Sequence, residues 1–484
     1  MKKVTDILPG IPNYRSFGST DIGITGVCFD SRTAAEGNIF VAVPGSRVDG
    51  HDFIHDALAR GCTAVVCEIL PEIQQEDTCM IQVENAGYAL GVICSNFYGQ
   101  PSKNLKLIGI TGTNGKTTIA TLLYRLAIRM GHRAGLISTI EVLINSRSQE
   151  TTHTTPDALQ INRILAAMVK EECTFCFMEV SSHAIDQNRI AGLRFAGGIF
   201  TNLTHEHLDY HKDFRHYLES KKAFFDNLPA GSFALTNLDD RNGSIMLQNT
   251  PAETKSYSLK SLSDFKGKIL ESHFDGMQLK INDKDVWTTL MGEFNAYNIL
   301  AVYACCMMLR FDKEKVLTVL SELRPVRGRA EVVAGKSGVI AIVDYAHTPD
   351  ALENIIQSVS QIRKGEQKLI TVVGAGGNRD REKRPLMGNI AVAGSDKVIL
   401  TSDNPRDESP ETIIGEMKSG IQENDLEKVI SIVDRREAIR TAFMMAGNGD
   451  IVLVAGKGHE TYQDIAGRKI HFDDLEIVKQ IMNV

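Results

Sequence analysis

The stretch KLIGITGTNGKTT, residues 106–118, carries the strongest fold signal in the chain. Its first part, Lys106–Thr111, is a largely apolar run that predicts a buried strand, and the residues from Lys116 to Met130 have the periodicity of a helix. The glycines between the two let successive backbone N–H groups face one anion, and the start of a helix adds partial positive charge. The stretch therefore predicts a phosphate-binding loop between a strand and a helix.

Two side chains in this loop have the chemistry that a nucleotide site needs. Lys116 can reach the β- and γ-phosphates, and the hydroxyl of Thr117 can bind Mg²⁺. The spacing departs from the usual GxxxxGK[ST] pattern, because Ile110 stands where its first glycine would fall. A tight turn with an incidental lysine therefore remains an alternative interpretation.

The order of apolar run, polar loop and helical pattern recurs through the middle and end of the chain. Further apolar runs that end in polar loops lie at 175–178, 198–201, 339–343, 369–373, 397–401 and 451–455. Near-continuous apolar strands that alternate with helices predict parallel sheets covered on both faces. Ligands of such sheets bind beyond the carboxyl ends of the strands, where these polar loops lie, so we predict an enzyme of the α/β class.

The length of the chain and two breaks in its pattern predict three domains. The chain has 484 residues, about three times the length of a typical domain. The breaks lie at 100–104 and at a Pro-, Gly- and Arg-rich link at 324–329. We place the domains at 1–103, 104–330 and 331–484.

Composition and charge exclude several classes of protein. Apolar residues make up 43% and charged residues 23%, the balance of a globular chain rather than of a disordered or collagen-like one. The net charge of −7 argues against a nucleic-acid partner. We find no apolar run of transmembrane length and no signal peptide, so we expect a cytoplasmic protein without membrane insertion. The nine scattered cysteines, with a CxxC at Cys173 and Cys176, predict buried thiols rather than a disulfide framework.

Glu179 and His207 each follow an apolar run in the middle of the chain, so both would lie at one edge of the predicted sheet. At that edge they could converge with Thr117 on Mg²⁺. Because Mg²⁺ prefers oxygen ligands, the histidine is the weaker candidate on chemistry alone. A helix start and a core histidine within Ser181–His183 are alternatives that the sequence leaves open.

Several ordered motifs, spread over the whole chain, resemble those of the Mur ligases of peptidoglycan synthesis. They are the phosphate loop at 111–117, FDSR (29–32), EVSSH (179–183), NLTHEHLDYH (202–211), GEFNAYN (292–298), DYAHTPD (344–350), KRP (383–385), DNPR (403–406) and GKGHE (456–460). The resemblance implies a smaller N-terminal domain that binds the UDP end of one substrate, a central P-loop-type domain that binds ATP, and a C-terminal Rossmann-like domain that binds an amino acid. We expect a monomer that acts on small molecules.

The reaction that the resemblance implies is ATP-dependent amide formation. ATP would phosphorylate the D-glutamyl side-chain carboxylate of UDP-N-acetylmuramoyl-L-alanyl-D-glutamate. An amino group of meso-2,6-diaminopimelate would then attack the acyl phosphate, and ADP and phosphate would be released. Lys116 and Mg²⁺ would neutralise the transferring phosphoryl group. By the same resemblance, the ligands of Mg²⁺ would be Thr117, Glu179, His207 and Lys221.

Lys221 matches the lysine that the family carries as an N-carboxylated (carbamate) residue. Carboxylation turns a cation into an oxygen ligand suited to Mg²⁺, which a plain lysine cannot be. The neighbouring Lys222 leaves the register open. On the sequence alone, both lysines are typical of the solvated face of a helix that begins near Asp213.

The resemblance also assigns residues to the two nucleotide substrates. The residues implied for ATP are Gly112, Thr113, Asn114, Gly115, Lys116, Thr117, Thr118, Asn295, Asn298, Arg329 and Asp344. The residues implied for the UDP-muramoyl dipeptide are Phe29, Ser31, Ser46, Arg47, Val48, Thr154, Thr155, Ser182, Gln187 and Arg189. On the sequence alone, the threonines and asparagines could cap helices, Arg189 could be a surface charge, and Arg329 and Asp344 could form an interdomain salt bridge.

The motif Asp403, Asn404, Pro405, Arg406 resembles the form found in members that use meso-2,6-diaminopimelate. This amino acid differs from lysine by one extra carboxylate, which a guanidinium can hold with two parallel hydrogen bonds. Arg384 is implied to hold a second carboxylate, and Glu460 and the carbonyl of Gly456 the far amino group. A Pro turn with a solvated arginine is the alternative interpretation.

One departure and two rival functions remain. His205 and Glu206 stand where members of the family usually have Arg and Asp, so the surroundings of His207 are in doubt. Folylpolyglutamate synthases share the glycine loop and the acyl-phosphate chemistry, although the motifs at 29–32 and 403–406 argue against them. A P-loop ATPase switch that only binds a partner would hydrolyse ATP without forming an amide.

Overall fold

The computed structural model describes residues 1–45, 48–72, 78–149, 154–204, 210–211, 213–335 and 338–484. In this part of the chain the predicted α/β alternation is confirmed, and three large sheets follow one another along the sequence. The predicted cuts after 103 and 330 fall between these sheets, and the division into three domains at these positions stays a prediction. Short 3-10 helices lie at Ser31–Thr33, Gly50–Phe53, Pro101–Lys103 and Glu423–Lys428.

The first sheet covers the N-terminal part of the chain. The strands are β1 (Lys2–Lys3), β2 (Arg15–Phe17), β3 (Gly23–Ile24), β4 (Gly26–Cys28), β5 (Asn38–Val41), β6 (Ala64–Cys67) and β7 (Cys79–Gln82), and the helices are α1 (Val4–Ile7), α2 (Ile54–Ala59) and α3 (Ala86–Phe97). The described strands pair in the order β2-β7-β6-β5-β4, parallel except for β2 against β7, and β1 pairs with β3. Helices α1 and α3 cover one face of this sheet and α2 the other.

The central sheet contains the predicted phosphate loop. The strands are β8 (Lys106–Thr111), β9 (Ala134–Ile137), β10 (Val142–Ile144), β11 (Arg147–Gln149), β12 (Phe175–Glu179), β13 (Gly197–Phe200), β14 (Phe233–Asn237), β15 (Glu253–Ser258), β16 (Phe265–His273), β17 (Gly276–Ile281) and β18 (Lys284–Thr288). The helices are α4 (Lys116–Arg129), α5 (Ala158–Lys170), α6 (Ser182–Asp186), α7 (Phe214–Asp226), α8 (Gly243–Met246), α9 (Glu293–Met308) and α10 (Lys313–Glu322). The described strands pair in the order β11-β10-β9-β12-β8-β13-β14-β15-β16-β17-β18, parallel from β9 to β16 and antiparallel at both edges.

Strand β8 lies in the middle of this sheet and packs on both faces. Leu107 joins the core beneath α5 and α7, whereas Ile108 joins the core beneath α4 and α9. A Cβ at Gly109 would come within 2.5 Å of Phe224 Cζ, so the glycine lets the α7 ring pack directly on the strand. This contact brings α7, which carries Lys221, against the strand that leads into the phosphate loop.

The last sheet covers the C-terminal part. The strands are β19 (Glu331–Ala334), β20 (Ile340–Asp344), β21 (Leu369–Val373), β22 (Lys397–Leu400), β23 (Val429–Ser431), β24 (Ile451–Ala455), β25 (Tyr462–Ile465) and β26 (Arg468–His471). The helices are α11 (Pro349–Ile362), α12 (Lys383–Gly394), α13 (Pro410–Lys418), α14 (Arg435–Met445) and α15 (Asp474–Met482). The described strands pair in the order β19-β20-β24-β21-β22-β23, parallel except for β19, while β25 and β26 form a separate hairpin. No helix among the described residues is long and apolar enough to span a membrane.

A fully buried ion pair ties the last two helices to strand β24. Arg435 donates to both carboxylate oxygens of Asp474, at 2.8 and 2.7 Å, and to the carbonyl of Ala455 at 3.0 Å. We expect Asp474→Ala to lower the free energy of unfolding by about 3–5 kcal/mol, because it leaves a buried guanidinium without its counter-ion. Urea denaturation measures the change. The control Asp425→Ala breaks the half-exposed pair with Lys428 and should cost less than about 1 kcal/mol, and equal losses would contradict the prediction.

Candidate active site

A cavity of about 490 Å³ opens beyond the carboxyl ends of strands from both the central and the last sheet. Loops after β8, β9, β20, β21, β22 and β24 and the last residue of β12 contribute to its wall. The sequence-predicted residues that line it are Thr113, Asn114, Gly115, Lys116, Thr117, Thr154, Glu179, Arg329, Asp403, Asn404, Arg406, Gly456 and Glu460. The cavity therefore brings together the phosphate loop, two implied Mg²⁺ ligands (Thr117 and Glu179) and the DNPR turn.

The phosphate loop is held by the second residue after β13, Asn202. Asn202 accepts a hydrogen bond from Thr113 N through its carbonyl at 2.8 Å and one from Asn114 N through its side chain at 2.9 Å. Gly112 has φ +144°, and a Cβ there would lie 1.9 Å from Thr201 Oγ1. Glycine is required at this position because the two loops approach each other too closely for a side chain.

Lys116 and Thr117 lie where the loop meets α4. The Lys116 ammonium donates to the carbonyls of Gly112 at 2.8 Å and Thr113 at 2.6 Å, so it lies over the loop itself. The Thr117 hydroxyl accepts a hydrogen bond from Arg329 Nη2 at 3.2 Å. Arg329 thus joins the link between the second and third sheets to the nucleotide loop.

The structure separates the roles of the two adjacent lysines on α7. Lys221 is 1% exposed, donates to the carbonyl of Gly112 at 3.0 Å and lies 4.6 Å from the centre of the Tyr217 ring. Lys222 points elsewhere and donates to Asp226 Oδ1 at 2.5 Å and to the carbonyl of Gln248 at 2.8 Å. The solvated-face alternative is therefore wrong for Lys221, which contacts the phosphate loop.

The residues present fit an oxygen-liganded Mg²⁺. The carboxylate of Glu179 is buried and accepts hydrogen bonds from Thr139 N at 2.7 Å and Thr139 Oγ1 at 3.2 Å, and Thr139 Oγ1 also lies 3.1 Å from Thr154 Oγ1. Glu179 and the Thr117 hydroxyl both line the cavity, and oxygen donors of this kind suit Mg²⁺. Among the described residues, no group of three or more His, Cys, Asp and Glu side chains forms a metal cage. The predicted residues that lie outside the described ones are His205, Glu206, His207, Ser46 and Arg47.

A second cavity, of about 380 Å³, adjoins the phosphate loop on the α9 side. The sequence-predicted residues that line it are Asn114, Gly115, Thr118, Asn298, Arg329 and Asp344. Asn298 donates to Asn295 Oδ1 at 3.0 Å, and Asn295 donates to the carbonyl of Met291 at 2.9 Å. Asn295 thus supports Asn298 from behind the cavity wall rather than merely capping a helix. Burial raises the pKa of Asp344 to about 6, although Arg329 lies nearby.

Sequence reasoning missed Asp239 at this cavity. Its carboxylate accepts hydrogen bonds from Ser258 Oγ at 2.7 Å, Tyr297 OH at 2.9 Å and the backbone N–H of Leu259 at 2.9 Å. Burial opposes ionisation, but hydrogen bonds from Ser258, Ser261 and Tyr297 outweigh it and lower the pKa of Asp239 to about 2. The signal was present in the sequence, because Asp239 directly follows an apolar run as the other site residues do.

Three predicted residues of the UDP-muramoyl dipeptide site contact one another. Arg189 donates to the carbonyl of Thr155 at 2.8 Å and to Gln187 Oε1 at 3.0 and 2.6 Å, so it is not a free surface charge. The helix-capping alternative for the threonines is also wrong, because Asp157 caps α5. Ser182 is buried, and its hydroxyl has no hydrogen-bond partner among the described residues.

Of the residues predicted for the uridine end, Phe29, Ser31 and Val48 are described by the structure, and they line neither cavity. Phe29 and Ser31 follow β4, and Val48 is exposed. Helix α3, which packs on the first sheet, approaches the end of α6 at Gly87, where a Cβ would lie 3.6 Å from the carbonyl of Gln187.

Arg406 is not a solvated arginine on a turn. Its backbone is in the left-handed region, with φ +53°, which costs a non-glycine residue about 1 kcal/mol. The β25–β26 hairpin holds this conformation, since Arg406 N donates to the carbonyl of Asp464 at 3.0 Å and its carbonyl accepts from Ala466 N at 2.8 Å. The guanidinium donates to the carbonyl of Gly377 at 2.6 Å and lines the cavity.

The remaining residues of the two C-terminal motifs pack around two carboxylates, the buried Asp403 and the partly buried Glu460. Asn404 donates to Glu460 Oε2 at 2.8 Å, and a Cβ at Gly456 would lie 2.6 Å from Asp403 Oδ2. Pro405 is buried. Burial and the adjacent Asp403 raise the pKa of Glu460 above its usual value.

The structure does not bring Arg384 to the cavity. Arg384 is 0% exposed, and its guanidinium donates to both oxygens of Glu408 at 2.9 Å and to Glu416 at 2.6 Å. This contact holds the pKa of Glu408 well below its usual range. Arg379 lines the cavity instead. The strand-end rule would have favoured Arg379, which lies in the loop after β21, over Arg384, the second residue of α12.

Family models match the chain in three consecutive parts. They are described as the Mur ligase family, catalytic domain (residues 23–98), the Mur ligase middle domain (110–306) and the Mur ligase, glutamate ligase domain (328–458).

Individual relatives agree with these matches. The UDP-N-acetylmuramoyl-L-alanyl-D-glutamate–2,6-diaminopimelate ligase of Cytophaga hutchinsonii is 52% identical and aligns over 99% of both chains. A solved structure with the same description is 31% identical, with a TM-score of 0.70 over 100% of this chain and 99% of its own. A folylpolyglutamate synthase of Mycobacterium tuberculosis, with a TM-score of 0.64 over 77% of this chain and 92% of its own, is 15% identical, a likeness of fold alone.

Proposed function

Because the chain belongs to the Mur ligase family, we propose that it joins meso-2,6-diaminopimelate to the D-glutamyl side-chain carboxylate of UDP-N-acetylmuramoyl-L-alanyl-D-glutamate, with ATP converted to ADP and phosphate. A relative of that description aligns with 52% identity over the full length. The observation that carries the proposal is that the DNPR turn and the phosphate loop line one cavity, so an amino acid and a phosphoryl donor can meet there.

The reaction needs activation of a carboxylate, which is a poor electrophile. Phosphorylation by ATP gives an acyl phosphate, and the amino group attacks its carbonyl carbon. The tetrahedral intermediate then collapses to the amide and expels phosphate. Most of the protein's contribution is alignment and charge neutralisation. Lys116, which lies over the phosphate loop, supplies a cation to the transferring phosphoryl group.

Mg²⁺ neutralises phosphate charge when it is bound. Glu179 and Thr117 would hold it from the central sheet, with His207 as the further ligand of the proposal. A carbamate at Lys221 would add an oxygen donor beside the loop. It forms when the neutral amine adds to the carbon of CO₂ and releases a proton. The proposal is supported by the burial of Lys221 and its contact with Gly112.

Recognition of the amino acid is assigned to the C-terminal loops. Arg406 and Arg379 are the arginines of this wall that line the cavity, and we assign them the carboxylates of diaminopimelate. Glu460 and the Gly456 carbonyl are assigned the far amino group of diaminopimelate, the one that does not form the amide. Arg384 is not retained in this role, because its donors already serve Glu408 and Glu416.

Arg379, which lines the cavity, and Arg384, which does not, should respond differently to truncation. Arg379→Ala is expected to raise the KM for diaminopimelate about tenfold or more, without change in Tm, because it removes a cation from the cavity. Arg384→Ala is expected to lower the free energy of unfolding by about 2–3 kcal/mol, because it removes the buried guanidinium that pairs with Glu408 and Glu416 and leaves them the exposed Arg381 as a cation. Steady-state kinetics and thermal melting measure both effects. The reverse pattern would restore Arg384 as the ligand.

The UDP-muramoyl dipeptide is assigned to the Thr155, Gln187 and Arg189 cluster and the loops of the first sheet. The proposed location is the cytoplasm, where ATP and the UDP-linked precursor would be available, and the proposed role is in cell-wall biogenesis during growth and division. The proposed reaction requires only a monomer, because all the groups assigned to the three substrates belong to one chain.

The test is phosphate release by purified protein with ATP, Mg²⁺, UDP-N-acetylmuramoyl-L-alanyl-D-glutamate and one amino acid. Meso-diaminopimelate should give release together with an amide product of matching mass, and L-lysine should give much less. Tetrahydrofolate with L-glutamate tests the folylpolyglutamate synthase alternative, and release without an amino acid tests a simple ATPase. Equal rates with lysine would contradict the assigned specificity, and no amide with any amino acid would contradict the ligase.

A further inference from the structure

Lys457 is a buried lysine behind the wall of the amino-acid cavity. It follows Gly456 at the end of β24, and its side chain is 0% exposed. Its ammonium donates to Asn404 Oδ1 at 3.0 Å and to Glu460 Oε2 at 3.1 Å. Lys457 therefore joins the DNPR turn to the GKGHE loop, and it does so from behind, since the cavity-lining residues include Asn404 and Glu460 but not Lys457.

The positive charge of Lys457 offsets the negative charge of two neighbouring carboxylates. Glu460 and Asp403 are two buried or nearly buried carboxylates close enough to interact, and burial and Asp403 together raise the pKa of Glu460. The contacts from Lys457 and Asn404 act in the opposite direction and favour the ionised carboxylate. With Lys457 the group carries one net negative charge, and without it two carboxylates would face each other.

The net charge of the Lys457, Glu460 and Asp403 group is complementary to the ammonium at one end of diaminopimelate. Each end of diaminopimelate carries one ammonium and one carboxylate. One net negative charge at Glu460 and Asp403 balances one ammonium, while Arg406 lines the same cavity and can take the carboxylate. A protonated Glu460 would lose this attraction, because a neutral carboxyl group attracts a cation only weakly.

We propose that Lys457 is a positioning residue that holds Glu460 ionised and oriented toward the amino group of the incoming amino acid. The inference rests on the proposed function and extends it to a residue that does not touch the substrate. It makes the affinity for diaminopimelate depend on a charge outside the cavity.

The other groups that interact with Glu460 come from several elements. They are Asp403 and Asn404 after β22, Tyr345 after β20, Tyr462 on the hairpin and Arg435 on α14. Arg435 donates two hydrogen bonds to the carboxylate of Asp474. Among the described residues, Lys457 is the cation that donates a hydrogen bond to Glu460, so its removal should raise the pKa of Glu460 further.

The test compares Lys457→Gln and Lys457→Met with Lys469→Gln in the full-length protein. Gln keeps a donor for Asn404 without the charge, and Met keeps the length of the side chain. Lys469 is the matched control, because its exposed ammonium also lies against Tyr462, 4.3 Å from the ring centre, but not against Glu460. The readouts are kcat, the KM for each substrate between pH 7 and pH 9, calorimetric binding of meso-diaminopimelate, and Tm.

The Lys457 variants should raise the KM for diaminopimelate about 30-fold at pH 7 and about fivefold at pH 9, because Glu460 regains its charge as the pH rises. The KM for ATP and for the UDP substrate should stay within twofold, as should every constant of Lys469→Gln. A KM for diaminopimelate within threefold of wild type, an equal rise in all three KM values, or failure of both variants to fold would each overturn the inference. Lack of diaminopimelate turnover by the wild type would instead contradict the proposed function.

Discussion

Lys221→Ala is expected to lower kcat by about 10³-fold or more, because it removes the nitrogen on which the proposed carbamate forms. The side chain is buried against the phosphate loop, with its amine 3.0 Å from the Gly112 carbonyl, so its loss leaves a space lined by polar groups. A small carboxylate that enters this space can replace the missing oxygen donor. Added bicarbonate, formate or acetate should therefore restore part of the activity in a concentration-dependent way.

The adjacent lysine provides the control for this experiment. Lys222→Ala should keep kcat within about threefold of wild type, because the Lys222 amine bonds Asp226 and the Gln248 carbonyl away from the loop. Mass spectrometry of protein kept under CO₂ provides a second readout, a gain of one CO₂ that Lys221→Ala lacks. If Lys221→Ala were fully active, the carbamate would be excluded, and an inactive variant that no carboxylate rescues would point to a packing role.

Arg406→Lys is expected to lower kcat/KM for meso-diaminopimelate by about 10²–10³-fold, which corresponds to about 3–4 kcal/mol. Lysine keeps the charge but loses the planar pair of donors, so it cannot hold a carboxylate with two parallel hydrogen bonds. The same change should alter kcat/KM for L-lysine less than threefold, because lysine lacks the second carboxylate, at its far end, that Arg406 is assigned to hold. The discrimination between the two amino acids should therefore largely disappear.

The backbone at Arg406 makes this comparison interpretable. The β25–β26 hairpin holds the left-handed turn through main-chain hydrogen bonds, which the substitution leaves in place. Arg381→Ala is the control, because Arg381 is exposed and pairs with Glu408 outside the cavity wall, and it should change neither rate more than about twofold. An unchanged preference for diaminopimelate in Arg406→Lys would assign the discrimination to another group, of which Arg379 is the first to test.

Patterns of local sequence predicted the secondary structure around the site. The runs Lys106–Thr111, Leu369–Val373 and Ile451–Ala455 are strands with the predicted bounds, because apolar strands flanked by glycine-rich loops leave little choice of end point. The same rule placed the polar residues at the carboxyl ends, where the structure finds the cavity. The same rule favours Asp239 and Arg379, which lie in the loops after β14 and β21.

Local sequence patterns could not predict which side chains contact each other across long separations in the chain. The choice between Lys221 and Lys222 depends on how α7 packs on β8 through Phe224 and Gly109. Arg384 belongs to the KRP motif, but its guanidinium pairs with Glu408 and Glu416, which lie 24 and 32 residues away along the chain.

By itself, the sequence determined the α/β class, the position of the phosphate loop and the strand ends at which ligands bind, because these depend on hydrophobic periodicity and on glycine within a few neighbouring residues. Only the tertiary structure decided which charged side chains reach the cavity and which neutralise one another in the interior. The physical reason is that burial makes each charge depend on a partner, and the fold can bring that partner from anywhere in the chain, as it does for Lys457 and Asn404, 53 residues apart.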